Sequence, residues 1–127
     1  VYALSGEGLR YALACGELAG KTAVDAIVEG DVSKEALMGY DQSWRAKFEP
    51  ELRIGQLLHT SLRTSPDQKM DALLSSLAGD VDLQRAFVNV FMGVELAESL
   101  KLLLSSDEIG RIFGRETVGK ALVLCKP

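Results

Sequence analysis

The chain has 127 residues, 47% of them hydrophobic and 25% charged, with a formal net charge of −4. That is one domain's worth of ordinary globular composition, long enough to bury a core. Acids and bases are interspersed and no basic block occurs, which argues against nucleic acid as a partner.

The chain opens on Ser5-Gly6-Glu7-Gly8-Leu9, a turn that leads straight into a helix. The spacing predicts that helix over about Glu7 to Val28, with Glu7 complementing the positive end of its dipole and Gly30 as its left-handed cap. Its apolar face collects Leu9, Ala12, Leu13, Gly16, Ala19, Ala23, Ala26 and Ile27. Glycines inside a helix cost roughly 1 kcal/mol each relative to alanine, so tight packing across Gly16 and Gly20 is expected to offset them. Arg10, Glu17, Lys21 and Asp25 interrupt the stretch too often for a membrane span, and no basic region followed by an apolar core marks a secretory leader. The expectation is a cytoplasmic protein, at most peripheral at a membrane.

A second helix starts at Asp31 or Ser33, either of which can cap it. Leu37, Tyr40, Trp44 and Phe48 then form one stripe carrying large side chains. Pro50 is expected to end or kink this helix near Phe48, with a second arm from Leu52 to about Arg63 beyond the bend. Ser65-Pro66-Asp67-Gln68 reads as a capping box opening a third helix, which buries Met70, Leu73, Leu74 and Leu77 and stops at Gly79. Asp80 and Asp82 open the next helix, and Gly93 breaks the pattern before a further one through Leu96, Leu100, Leu103 and Leu104. Ser105 with Glu108 suggests a capping box for a short helix ending at Gly114. Thr117 to Cys125 fits a helix or a strand equally well. The fold class is all-α, with six or seven short elements.

The glycine turn has two readings. Free backbone N–H groups at a helix mouth suit an anion or a carbonyl oxygen gathering charge; equally, the glycines serve a tight turn ahead of a packed helix. The extended pattern narrows the choice. Gly6-Glu7-Gly8-Leu9, Ala12, Gly16-Glu17-Leu18-Ala19-Gly20 and Ala26-Ile27-Val28-Glu29-Gly30 resemble the end of the FAD-binding domain in flavoproteins of the geranylgeranyl reductase family. Leu37, Tyr40 and Trp44-Arg45 resemble that family's following helix, so the likeness covers about residues 5–48. The turn and helix also recur in FAD-dependent monooxygenases, halogenases and quinone oxidoreductases.

The resemblance implies an FAD-dependent enzyme that reduces isolated double bonds of geranylgeranyl chains on lipids or chlorophyll precursors. It implies cofactor-binding roles for Gly6, Glu7, Gly8 and Leu9, with the helix dipole facing the flavin's pyrimidine edge, where negative charge collects on reduction. The dinucleotide fingerprint, its ribose-binding acid and the Gly-Asp that normally precedes the turn are absent. The reading is therefore a multi-helix C-terminal fragment. Residues 1–30 would complete a missing N-terminal Rossmann-type FAD domain, and residues 31–127 would form a helical subdomain. Alone, this piece is expected to be non-catalytic and to self-associate through the uncovered face of its first helix. A stand-alone helical interaction module is the alternative.

Other candidates read as structure. His59 has no ligand-spaced partner, and one histidine with two distant cysteines makes no zinc site, so no metal is expected. Cys15 reads as a small buried residue, and the lack of a C-x-x-C pair with Cys125 suits a reducing compartment. Tyr40, Trp44 and Phe48 read as core, or as the lining of an isoprenoid cavity. Glu49, Glu51 and Arg53 read as a solvated face. Ala86 to Leu104 is the most apolar part of the second region, suited to burial or to contact with lipid.

Overall fold

The computed structural model describes residues 1–125, and seven α-helices account for most of them. They are α1 (Leu9–Glu29), α2 (Lys34–Arg63), α3 (Asp67–Ala78), α4 (Val81–Met92), α5 (Leu96–Ser105), α6 (Asp107–Phe113) and α7 (Arg115–Leu124). The all-α expectation holds, and the ambiguous last stretch is helical.

The longest helix, α2, is the axis of the molecule: its 30 residues span about 45 Å at the α-helical rise. Its first half lies against α1, and its second half forms one wall of the bundle made by α3 to α7. The main core joins Ile54 and Leu58 of α2 to Leu73, Leu100, Leu103 and Ile109, with Ala121 of α7 completing it. A smaller cluster gathers Tyr2, Tyr11 and Phe48 where α1 meets α2, and the ring of Tyr11 stands edge-on to Phe48 at 5.4 Å. This second cluster carries the N-terminal turn.

Several helix boundaries follow the capping chemistry. Gly30 closes α1 in a left-handed conformation, its N–H donating to the Ile27 carbonyl, while the Asp31 N–H donates to Ala26. Ser33, rather than Asp31, caps α2 by accepting from the Ala36 N–H at 3.3 Å. Asp80 caps α4 by accepting from the N–H groups of Asp82 and Leu83.

Four expectations are corrected. α2 does not end at Pro50 but continues to Arg63; the proline forfeits one helical hydrogen bond, and both Pro50 and Ala46, the residue left without its donor, are on the exposed side where water can replace it. Ser65 does not cap α3: its hydroxyl donates back to the Ser61 carbonyl at 2.8 Å, and Pro66 takes the cap position without a side-chain bond. Ser106, not Ser105, caps α6 by accepting from the Ile109 N–H, while the Ser105 hydroxyl donates to Leu102. Finally, α1 begins at Leu9, not Glu7, and it buries a different face from the one anticipated.

That face is the most consequential difference. Against α2 the helix turns Tyr11, Ala14, Cys15, Leu18 and Ala26. Leu9, Ala12, Leu13, Gly16, Ala19, Ala23 and Ile27 are instead exposed, Leu9 at 72% and Ile27 at 72%. A β-carbon at Gly16 or Gly20 would meet nothing within 4 Å. α1 therefore has two apolar stripes, and only one is covered within the described residues.

Candidate functional site

The turn ahead of α1 brings Gly6, Glu7, Gly8 and Leu9 together at one helix mouth. Two backbone hydrogen bonds close residues 2–7 into a loop, from Gly6 N–H to the Tyr2 carbonyl at 2.9 Å and from Tyr2 N–H to the Glu7 carbonyl at 2.7 Å. Gly6 sits at φ +74°, a conformation that side chains rarely adopt, with open space where a β-carbon would stand. Gly8 is the N-cap of α1 and contributes no side-chain bond. The helix is capped instead by Glu7, whose Oε1 accepts from the Arg10 N–H at 2.8 Å. Its other oxygen is buried and receives no hydrogen bond among the described residues, with the Arg10 Nε 3.7 Å away. Glu7 thus turns its charge inward onto its own helix and leaves Gly6 open, while the Val1 side chain lies beside Gly8, 3.7 Å from where a β-carbon would stand.

Directly behind the turn lies a polar knot. Arg10 and Tyr11 both donate to Oε1 of Glu51, which projects from the middle of α2 with only 19% of its side chain exposed. Arg10 also donates to the Tyr11 hydroxyl at 2.8 Å and reaches the Gly93 carbonyl at 3.4 Å, at the corner between α4 and α5. The Glu51 carboxylate holds the Arg10 guanidinium even above its usual high value. Burial and the hydrogen bond to Glu51 push the Tyr11 hydroxyl well above its ordinary value.

On the other side of the turn, Tyr2 is fully buried and its hydroxyl donates to the Val90 carbonyl at 2.8 Å. Burial chiefly, with the nearby Glu51 charge, pushes its titration far up.

The remaining candidates separate. Phe48 is core as anticipated, whereas Tyr40 and Trp44 are half-exposed beside it. Cys15 is half-buried, not buried, and its nearby thiol raises the titration of the Tyr40 hydroxyl. Cys15 and Cys125 are both free thiols. Arg53 lies on the solvated face expected of it and pairs there with the partly exposed Glu49, but Glu51 does not share that face. Sequence spacing missed it because α1 and α4–α5 approach it from distant parts of the chain. Within 86–104, Ala86, Val90, Leu100 and Leu103 enter the core while Val88, Met92 and Val94 stay exposed, so this segment presents both kinds of surface.

An open, mostly apolar groove of about 570 Å³ lies between α2 and α7, walled by Leu57, Val123 and Leu124. Its two cations, Arg53 and Lys120, are already paired with Glu49 and Glu116. Among the described residues no group of three or more His, Cys, Asp or Glu could hold a metal, and no helix is long and apolar enough to cross a membrane.

No family model and no solved structure matches the chain. Curated proteins do. The chain is 29% identical over 99 residues to digeranylgeranylglycerophospholipid reductase 1 of Methanococcoides burtonii, a match covering 78% of this chain and 24% of that protein. It is 36% identical over 76 residues to digeranylgeranylglycerophospholipid reductase 2 of Methanothermobacter thermautotrophicus, covering 60% and 20%. Over 45 residues it is 49% identical to the digeranylgeranylglycerophospholipid reductase of Methanospirillum hungatei, covering 35% and 11%. These matches relate the chain to the reductases at the level of the family, and it spans about a quarter or less of the relatives' length.

Proposed function

We propose that this chain is the C-terminal part of an FAD-dependent reductase acting on isoprenoid double bonds of a membrane lipid. The observation that carries the reading is the similarity to several digeranylgeranylglycerophospholipid reductases. It names an isoprenoid glycerophospholipid substrate class, and matches of 99 and 102 residues extend beyond residues 5–48.

The turn suits a flavin edge. Gly6 exposes backbone without a side chain above it, and Glu7 is folded back onto Arg10. Gly6, Glu7, Gly8 and Leu9 are the residues that would meet the cofactor, with the positive end of the α1 dipole aimed at it. Bound FAD would supply the reducing electrons for the double bond. This chain's own part is to shape and orient one edge of that site.

In this reading residues 1–30 complete the missing FAD domain and residues 31–127 form the attached helical subdomain. The exposed stripe of α1, from Leu9 through Gly16 and Gly20 to Ile27, is the surface that the remainder of a relative-length chain covers.

The test is to purify the protein encoded by the complete reading frame that contains this sequence. Flavin absorbance, followed by anaerobic reduction and reoxidation by a polyprenyl glycerolipid, is the expected result. Reoxidation by oxygen or a quinone instead of lipid would move the enzyme to the monooxygenases or quinone oxidoreductases. The uncovered α1 stripe also favours a second reading, a helical interaction module. A colourless complete protein that still binds a protein partner through α1 would establish that reading and end the first.

A further inference from the structure

We propose that Glu51 is a positioning residue for the Gly6–Gly8 turn: from the middle of α2 it clamps the mouth of α1 to the corner between α4 and α5. The inference rests on the reading of that turn as the flavin-edge contact and names the device that holds it.

One carboxylate oxygen serves two donors, Arg10 and Tyr11, which are the second and third residues of α1 and lie immediately behind the turn. The same guanidinium continues to the Gly93 carbonyl, so a single chain of polar contacts joins α1, α2 and the α4–α5 corner. Glu51 is mostly shielded from water, which makes its charge-assisted bonds stronger than those of an exposed pair.

The corner is built around this pairing. Gly93 adopts φ +70°, and a β-carbon there would lie 2.8 Å from Glu51 Oε1 and 3.1 Å from Arg10 Nη2. A second anchor stands one helical turn along the same face of α2. There Gly55 leaves the space that the Tyr2 ring fills, and the Tyr2 hydroxyl holds Val90 at the end of α4. The turn is thus gripped on both flanks, at Tyr2 and at Arg10–Tyr11, by two sites on one face of α2. Removing the carboxylate frees one flank and leaves Arg10 and Tyr11 without their shared acceptor. Any displacement of the α4–α5 corner is passed through Arg10 to the helix mouth.

The experiment compares wild type, Glu51→Ala and Glu51→Gln in the complete protein, reading hydrogen exchange by peptide and the flavin midpoint potential. In Glu51→Ala, exchange of the peptide covering residues 5–12 should quicken by about tenfold while peptides of α3 and α6 stay unchanged, as local opening requires. The midpoint potential should shift with it. Glu51→Gln keeps an acceptor at the same place and should restore most of both readouts. Unchanged exchange in the turn, equal acceleration across α3 and α6, or an unmoved potential despite a loosened turn would each overturn the proposal. A colourless wild-type protein would instead sink the flavin reading, and the exchange data would still decide whether Glu51 positions the turn.

Discussion

The ring of Tyr2 lies against the backbone of Gly55, so close that a β-carbon on the glycine would stand 2.5 Å from ring atom Cε2. The three atoms nearest to that point all belong to Tyr2. A residue near the N-terminus therefore depends on a helix position more than fifty residues away having no side chain.

Gly55→Ala should therefore destabilise the protein by about 1–3 kcal/mol through overpacking, despite the better helix propensity of alanine. A double-mutant cycle with Tyr2→Ala should return a coupling energy of about 1–3 kcal/mol, because the clash disappears with the ring. Denaturant unfolding of the four proteins measures it. Equal penalties in the two backgrounds would mean that Gly55 serves something other than Tyr2.

Gly93→Ala should cost about 1–2 kcal/mol, from the left-handed backbone and from displacement of the Glu51 carboxylate. Gly79 is a useful control, since it ends α3 at negative φ with open space around it, so Gly79→Ala should change stability far less. Thermal melts of both variants separate the two effects.

Gly16→Ala and Gly20→Ala should each stabilise the 127-residue chain by up to about 1 kcal/mol, because both lie on the exposed stripe of α1. In the complete protein the same substitutions should lower stability, as close packing on the α1 stripe would make the new methyl groups clash. A gain of equal size in both proteins would show that nothing packs on that stripe.

Stability should fall in alkali. An unfolded tyrosine gives up its proton near its ordinary value of about 10, whereas Tyr2 and Tyr11 keep theirs beyond it in the fold. Above that value the unfolded chain binds fewer protons than the native one, so stability declines as pH rises; below it the contribution is fully present. Urea midpoints from about pH 8 to about pH 11 should show the decline, and Tyr2→Phe should flatten it. A slope unaffected by Tyr2→Phe would assign the alkaline loss to other groups.

How far the sequence reached depended on the range of the physics involved. Gly30 and Asp80 act through neighbours a few residues away, so the cap at Gly30 and the start of α4 at Asp80 were legible in the chain alone. Serines were harder. Ser65 and Ser105 carry capping signatures, yet both hydroxyls bond back to a carbonyl of the preceding helix, a local alternative that spacing does not distinguish. Pro50 misled for a related reason: the cost of a proline depends on whether water reaches the carbonyl it abandons.

The sequence by itself determined that the chain is helical, where most helices start and stop, and that a glycine turn opens the first of them. It also carried the likeness to the geranylgeranyl reductase family. Only the tertiary structure decided which stripe of α1 is buried, because that helix has two apolar stripes and periodicity ranks neither. Only the tertiary structure took Glu51 out of a solvated row of charges and set it between Arg10, Tyr11 and Gly93. Those partners lie some forty residues away on either side, so their meeting is a property of packing that no local pattern records.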